Sequence, residues 1–163
     1  MSHSVTVTRT TTTTTTSALI INTGYLKTWP GLLKLFQTLL GIVVVGLISY
    51  YYRTARIVSH TAETFYLLMA VTFLVGTFLI LVSCIISIST ASIISKTIFE
   101  VVYHTAAAIM YIAASVTFLV EVNRWNKNYS EYEPYMAAGV IGLVISILYV
   151  LSAYFARKSY RGL

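Results

Sequence analysis

Residues 97–120 read TIFEVVYHTAAAIMYIAASVTFLV, an apolar run that carries one glutamate, Glu100, and one histidine, His104. Twenty-four residues of α-helix rise about 36 Å, enough to cross a hydrocarbon core of about 30 Å. Glu100 and His104 are four residues apart and share one helix face. An ionisable pair inside a membrane span is costly and needs a partner. The pattern therefore predicts a transmembrane helix with a polar face turned inward, around which the other apolar blocks pack.

Those blocks account for most of the chain. Of 163 residues, 57% are hydrophobic and only 10% charged, with a mean hydropathy of +0.79. A soluble domain carries roughly 25% charged residues. Four long apolar blocks fall at about 31–52, 64–88, 97–120 and 135–156. Each meets the requirement of about 20 mostly apolar residues for a span. The expected fold class is an all-α membrane protein, a four-transmembrane-helix bundle spanning residues 24–156. The short loops leave no room there for a separate soluble domain.

The flanks are polar. Residues 1–23 contain an unbroken threonine run at 10–16 and no apolar periodicity, which predicts a disordered tail. No cleavable signal peptide is expected, because the first apolar block follows about thirty polar residues. Residues 157–163 form a short basic tail. The single cysteine, Cys84, excludes an intrachain disulfide and the paired-cysteine chemistry of four-span redox enzymes.

Charge placement sets the expected topology. Arg9, Lys27, Lys96, Arg157, Lys158 and Arg161 fall on one side of a four-span protein, and Arg53, Arg56, Arg124 and Lys127 on the other. Glu63, Glu121, Glu131 and Glu133 join the second group. The side richer in Lys and Arg is read as cytosolic, which puts both termini and the middle loop there. The net charge of +6 is thus a topology signal with some pull on anionic head groups, and it does not imply nucleic acid.

Within the spans, Pro30 suits a first helical turn, and Trp29 and Tyr25 suit the membrane interface. Lys34 lies one turn inside span one and is long enough to snorkel back to the head groups. The first outer loop is read as 53–63. The link at 89–96 is weakly polar and belongs in the interface. The third span is rich in small residues, including Ala106, Ala107, Ala108, Ala113, Ala114 and Ser115, and is expected to be the most buried of the four. In the fourth span, Ala138, Gly142 and Ser146 form a small-residue stripe suited to packing inside the bundle, with self-association as the second reading.

Depth suggests partners. Lys34 and Glu100 each lie about one turn from the same end of a span, and Gln37 and His104 about one turn deeper. An ion pair between Lys34 and Glu100 and a hydrogen bond between Gln37 and His104 are expected, with Lys96 a competing partner for Glu100. Together the four make a structural intramembrane cluster. The alternative is a small transporter or proton-coupled channel using Glu100 and His104, since intramembrane carboxylates mark transport paths. No catalytic constellation, metal set or cofactor motif is visible, and the histidines fall in three separate regions. Three further signals stand alone. Asn128-Tyr129-Ser130 is an N-glycosylation acceptor, Cys84 a palmitoylation candidate or a buried packing thiol, and Tyr160 with Leu163 a tyrosine-based sorting pattern.

Two stretches carry a family resemblance. Gly24-Tyr25-Leu26-Lys27 through Pro30-Gly31-Leu32-Leu33-Lys34-Leu35-Phe36-Gln37 resembles the opening of MARVEL-domain proteins. Phe99-Glu100-Val101-Val102-Tyr103-His104 and Tyr111-Ile112-Ala113-Ala114-Ser115 resemble their third span. The nearest flavour is the chemokine-like-factor subgroup with its insect relatives. The resemblance implies a four-helix bundle with cytosolic ends and no catalytic residues. It also implies a role in membrane organisation or vesicle traffic, at the plasma membrane or endosomal-vesicular membranes. The implied partners are membrane lipids, other integral membrane proteins and further copies of the chain. Outer loops without a cysteine pair, and a short first outer loop, set the chain apart from junctional MARVEL proteins and from claudins.

Overall fold

The computed structural model describes residues 22–52, 60–124 and 131–162. Every regular element among them is helical: a 3-10 helix (Thr23–Lys27), α1 (Trp29–Tyr51), α2 (His60–Ile86), α3 (Ile88–Ile94), α4 (Ile98–Asn123) and α5 (Tyr132–Tyr160). Helices α1, α2, α4 and α5 are long and apolar enough to cross a membrane. The chain is a four-span helical membrane bundle. The threonine run, Asn128 with its acceptor motif, residues 53–59 of the first loop and Leu163 lie outside the described residues.

Local chemistry sets the helix ends. Thr28 caps α1, its hydroxyl accepting from Gly31 N at 3.3 Å, and Pro30 occupies the first turn. The 3-10 helix folds back over this end so closely that a Cβ on Gly31 would collide with the Tyr25 carbonyl. The Asn22 amide donates to the Ile85 carbonyl at 2.6 Å and pins the segment to the end of α2. Ser87 adopts an extended conformation, ends α2, and caps α3 by accepting from Thr90 N at 3.2 Å. Most of the expected interfacial link at 89–96 is therefore a short helix of 7 residues.

The four long helices form a ring. α1 packs against α2 and α5, and α4 packs against the same two, most extensively against α5. α1 and α4 thus face each other across the diagonal. The inward face of α4 carries Glu100, His104, Ala107, Tyr111, Ala114 and Phe118, at three- and four-residue spacing. Ala106 and Ala113 point outward. This corrects the expectation that the third span is the most buried. A larger share of the apolar stretch is buried in α1 (44%) than in α4 (39%). The reason is that Lys34, Gln37 and Thr38 must all face inward on α1, whereas an alanine is equally at home in lipid.

The small-residue stripe of α5 faces the bundle interior. Ala138, Gly142 and Ser146 are all buried, and the Ala138 carbonyl accepts from the Tyr66 hydroxyl at 2.6 Å. A Cβ on Gly142 would run into the Tyr66 hydroxyl and Ser115 Oγ. Gly142→Ala is expected to lower stability by about 1–3 kcal/mol through overpacking. Gly46→Ala, where the added Cβ meets nothing within 4 Å, is expected to be neutral or stabilising. Thermal unfolding in detergent measures both. A Gly142→Ala protein that melts like the wild type but no longer self-associates would give the stripe to a contact between copies.

Candidate functional site

The candidate site begins where the sequence places charge inside hydrocarbon. Lys34 of α1 is 0% exposed and Glu100 of α4 is 4% exposed. The Lys34 ammonium donates to Glu100 Oε1, an ion pair across the diagonal of the ring. Lys34 therefore does not snorkel to the head groups, and Lys96, exposed at the bundle end, takes no part in the pair. Glu100 sits in the first turn of α4, where the helix dipole also favours its negative charge.

Three further groups close around the pair. His104 Nε2 stands 3.6 Å from the same Glu100 oxygen, beyond hydrogen-bond reach. Gln37 Nε2 donates to Ser152 Oγ of α5 at 2.8 Å. This corrects the expected Gln37–His104 hydrogen bond: the two residues match in depth, but Gln37 is turned toward α5. The Tyr25 ring lies 5.9 Å from Lys34 Nζ and roofs the cluster from the 3-10 helix. Burial above all, and then the proximity of Cys84 and Glu100, push the Tyr25 phenol up, so it remains a neutral hydroxyl at physiological pH. Cys84 is itself 2% exposed beneath this roof. That is the environment of a packing thiol, and an acyl chain would reach the sulfur only after the segment lifted. Tyr160 is exposed at the end of α5.

A second polar layer lies deeper, and it has no counterpart in the sequence reading. Thr77 Oγ1 of α2 hydrogen-bonds Tyr149 OH of α5 at 2.6 Å and Tyr103 OH of α4 at 2.9 Å. Both tyrosine hydroxyls also donate to the Phe73 carbonyl at 3.2 Å. The His104 ring packs against Tyr103 and Tyr149, with centroids 5.2 and 5.8 Å apart. At the opposite end, Glu63 belongs to the first turn of α2 and is 0% exposed, so it is no loop residue. Its carboxylate accepts from the Tyr135 hydroxyl of α5. The available signal was the 13 tyrosines, more than two interfacial belts require.

The arrangement is suited to holding helices together. A buried charge pair adds little net stability, but removing one partner strands the other at a cost of about 3–5 kcal/mol. Glu100→Gln is expected to show a loss of about that size in thermal unfolding, and Glu100→Gln with Lys34→Met to recover most of it. A double variant as unstable as the single one would show that the charge pair is not the source.

The chain was compared with known proteins. The family model for MARVEL, described as a membrane-associating domain, matches residues 25–155. Comparison with curated proteins and with solved structures found no match. The matched segment starts at Tyr25 in the roof and ends one residue before Ala156 of α5, so it contains the ion pair and both polar layers. With this match over most of its length, the chain belongs to the MARVEL membrane-associating domain family.

Proposed function

We propose that this protein is a non-enzymatic membrane organiser that acts by lateral association with lipids and other integral membrane proteins. One observation carries the reading. The bundle buries Lys34, Gln37, Glu100 and His104 in its interior and offers largely apolar flanks on every spanning helix, with Phe36, Leu68, Phe78, Met110 and Ile147 all exposed. A chain built this way meets its partners through its sides. Both ends are placed in the cytosol, on the count of Lys and Arg. The quoted stretches at 24–37 and 99–115 support a place in the chemokine-like-factor subgroup, of insect type. The working compartment is the plasma membrane or endosomal vesicles.

The transporter reading asks more of the cluster. Glu100 already has Lys34 as its counter-charge. The cavity that Lys34 and Glu100 line holds about 30 Å³, room for a water molecule and not a conduit.

Proximity labelling followed by crosslinking in cells tests the proposal. The expected result is a reproducible set of integral membrane neighbours, enriched over an unrelated four-span protein of equal abundance. Neighbours that merely follow abundance, together with a pH-dependent flux in liposomes abolished by Glu100→Gln, would replace the organiser with a transporter.

A further inference from the structure

The C-terminal end of α5 carries a feature that the ion pair does not use. α5 is 29 residues long, and at about 1.5 Å per residue it outruns a hydrocarbon core of about 30 Å. Its last two turns present Tyr154, Arg157, Tyr160 and Arg161 at helical spacing, all exposed. Across from them, α4 presents Ile98, Val101 and Thr105 on a three- and four-residue stripe. Between the two stripes runs an open groove of about 460 Å³. A second hollow of about 310 Å³, lined by Tyr154, Arg157, Lys158 and Arg161, adjoins it at the polar end. The groove is thus apolar toward the bilayer and cationic toward the surface.

We propose that this groove is a binding site for an anionic glycerophospholipid. The phosphate-bearing head group lies among Arg157, Lys158 and Arg161, and one acyl chain lies along Val101, Thr105 and Ala153. Charge complementarity commits the site to this occupant. Among the described residues, none of the three cations makes an ion pair. The only described acidic residue at this end is Glu100, which is buried against Lys34, and the other four glutamates sit toward the far end. Cations at a helix C-terminus also suit the helix dipole. That accounts for their sign, but not for two of them lining a groove that continues along α4. The proposal rests on the organiser reading and deepens it, since it gives the protein a lipid class to hold.

Native mass spectrometry of the purified chain, with equal phosphatidylserine and phosphatidylcholine added to the micelles, tests the site. Each cation at a membrane surface contributes a severalfold preference. With three cations at the site, the wild type is therefore expected to retain phosphatidylserine roughly a hundredfold over phosphatidylcholine. Arg157→Gln with Arg161→Gln is expected to cut the preference to the severalfold that Lys158 alone supplies, with an unchanged melting temperature, because both side chains lie outside the core. Lys27→Gln with Lys96→Gln removes the same charge at the same end, outside the groove, and is expected to keep the preference. Val101→Trp fills the groove without altering charge and is expected to lower phosphatidylserine retention. It also decides the matter should the arginine variant fail to fold. Equal loss in the two charge variants would overturn the site in favour of a diffuse basic surface. Displacement by soluble glycerophosphoserine at lipid concentration would overturn the acyl-chain half. A wild type without preference that still captures its neighbours in cells would remove the lipid site and leave the organiser reading standing.

Discussion

A lysine and a glutamate enclosed in hydrocarbon cannot be left apart, and the rest of the bundle is arranged around that fact. Lys34 and Glu100 belong to α1 and α4, which share neighbours but little direct contact. Their pairing fixes the diagonal of the ring. It also fixes helix phase. A one-residue slip rotates a helix by about 100° and would turn either charge toward lipid. The 3-10 helix then roofs the pair with Tyr25, held in place by the Asn22–Ile85 hydrogen bond. A segment ahead of the first span thereby becomes a cover over the buried pair.

In lipid, burying apolar surface between helices gains little, because acyl chains solvate leucine as well as another helix does. Specific polar contacts must decide which helices meet. Here they come in three layers, each tying elements that are distant in sequence. Lys34 and Glu100 join α1 to α4, with Gln37 and Ser152 joining α1 to α5 beside them. Thr77 gathers α4 and α5 onto α2 near the middle. Glu63 and Tyr135 join α2 to α5 at the far end. A glycine lets one of these contacts close: a Cβ on Gly76 would run into the Tyr103 hydroxyl that reaches Thr77.

What was legible in the sequence follows from geometry. Span number and position depend on the length of apolar runs, and these stand out without knowledge of any contact. Depth along a helix axis is also readable, which is why Lys34 and Glu100 are recognisable as level with each other. Azimuth is not. Gln37 and His104 match in depth, yet Gln37 points to Ser152, because the angle between two helix faces is set by the packing of all four. Glu63 departs from its expected place in the loop for a related reason. A carboxylate near a span end looks like a loop residue until a tyrosine on another helix is seen to reach it. Thr77, Tyr103 and Tyr149 carry no charge, so beyond the number of tyrosines no residue pattern marks them as a cluster.

The same economy of charge bears on what the protein can do. A group that conducts must exchange its partner during each cycle, and so must sit where a carrier ion or a water chain can replace that partner. Glu100 has a fixed cation on a facing helix, a roof of folded chain above it, and the aromatic rings of Tyr103 and Tyr149 packed on His104 below. Its surroundings are built to keep one partner. With the ion pair enclosed, the surfaces exposed to other molecules are the apolar flanks and the two ends. Those ends differ: one gathers exposed cations along α5, while the other holds four of the five acidic residues. A bundle polarised in this way presents its flanks and its two unlike ends, and not its buried ion pair, to what lies beside it in the membrane.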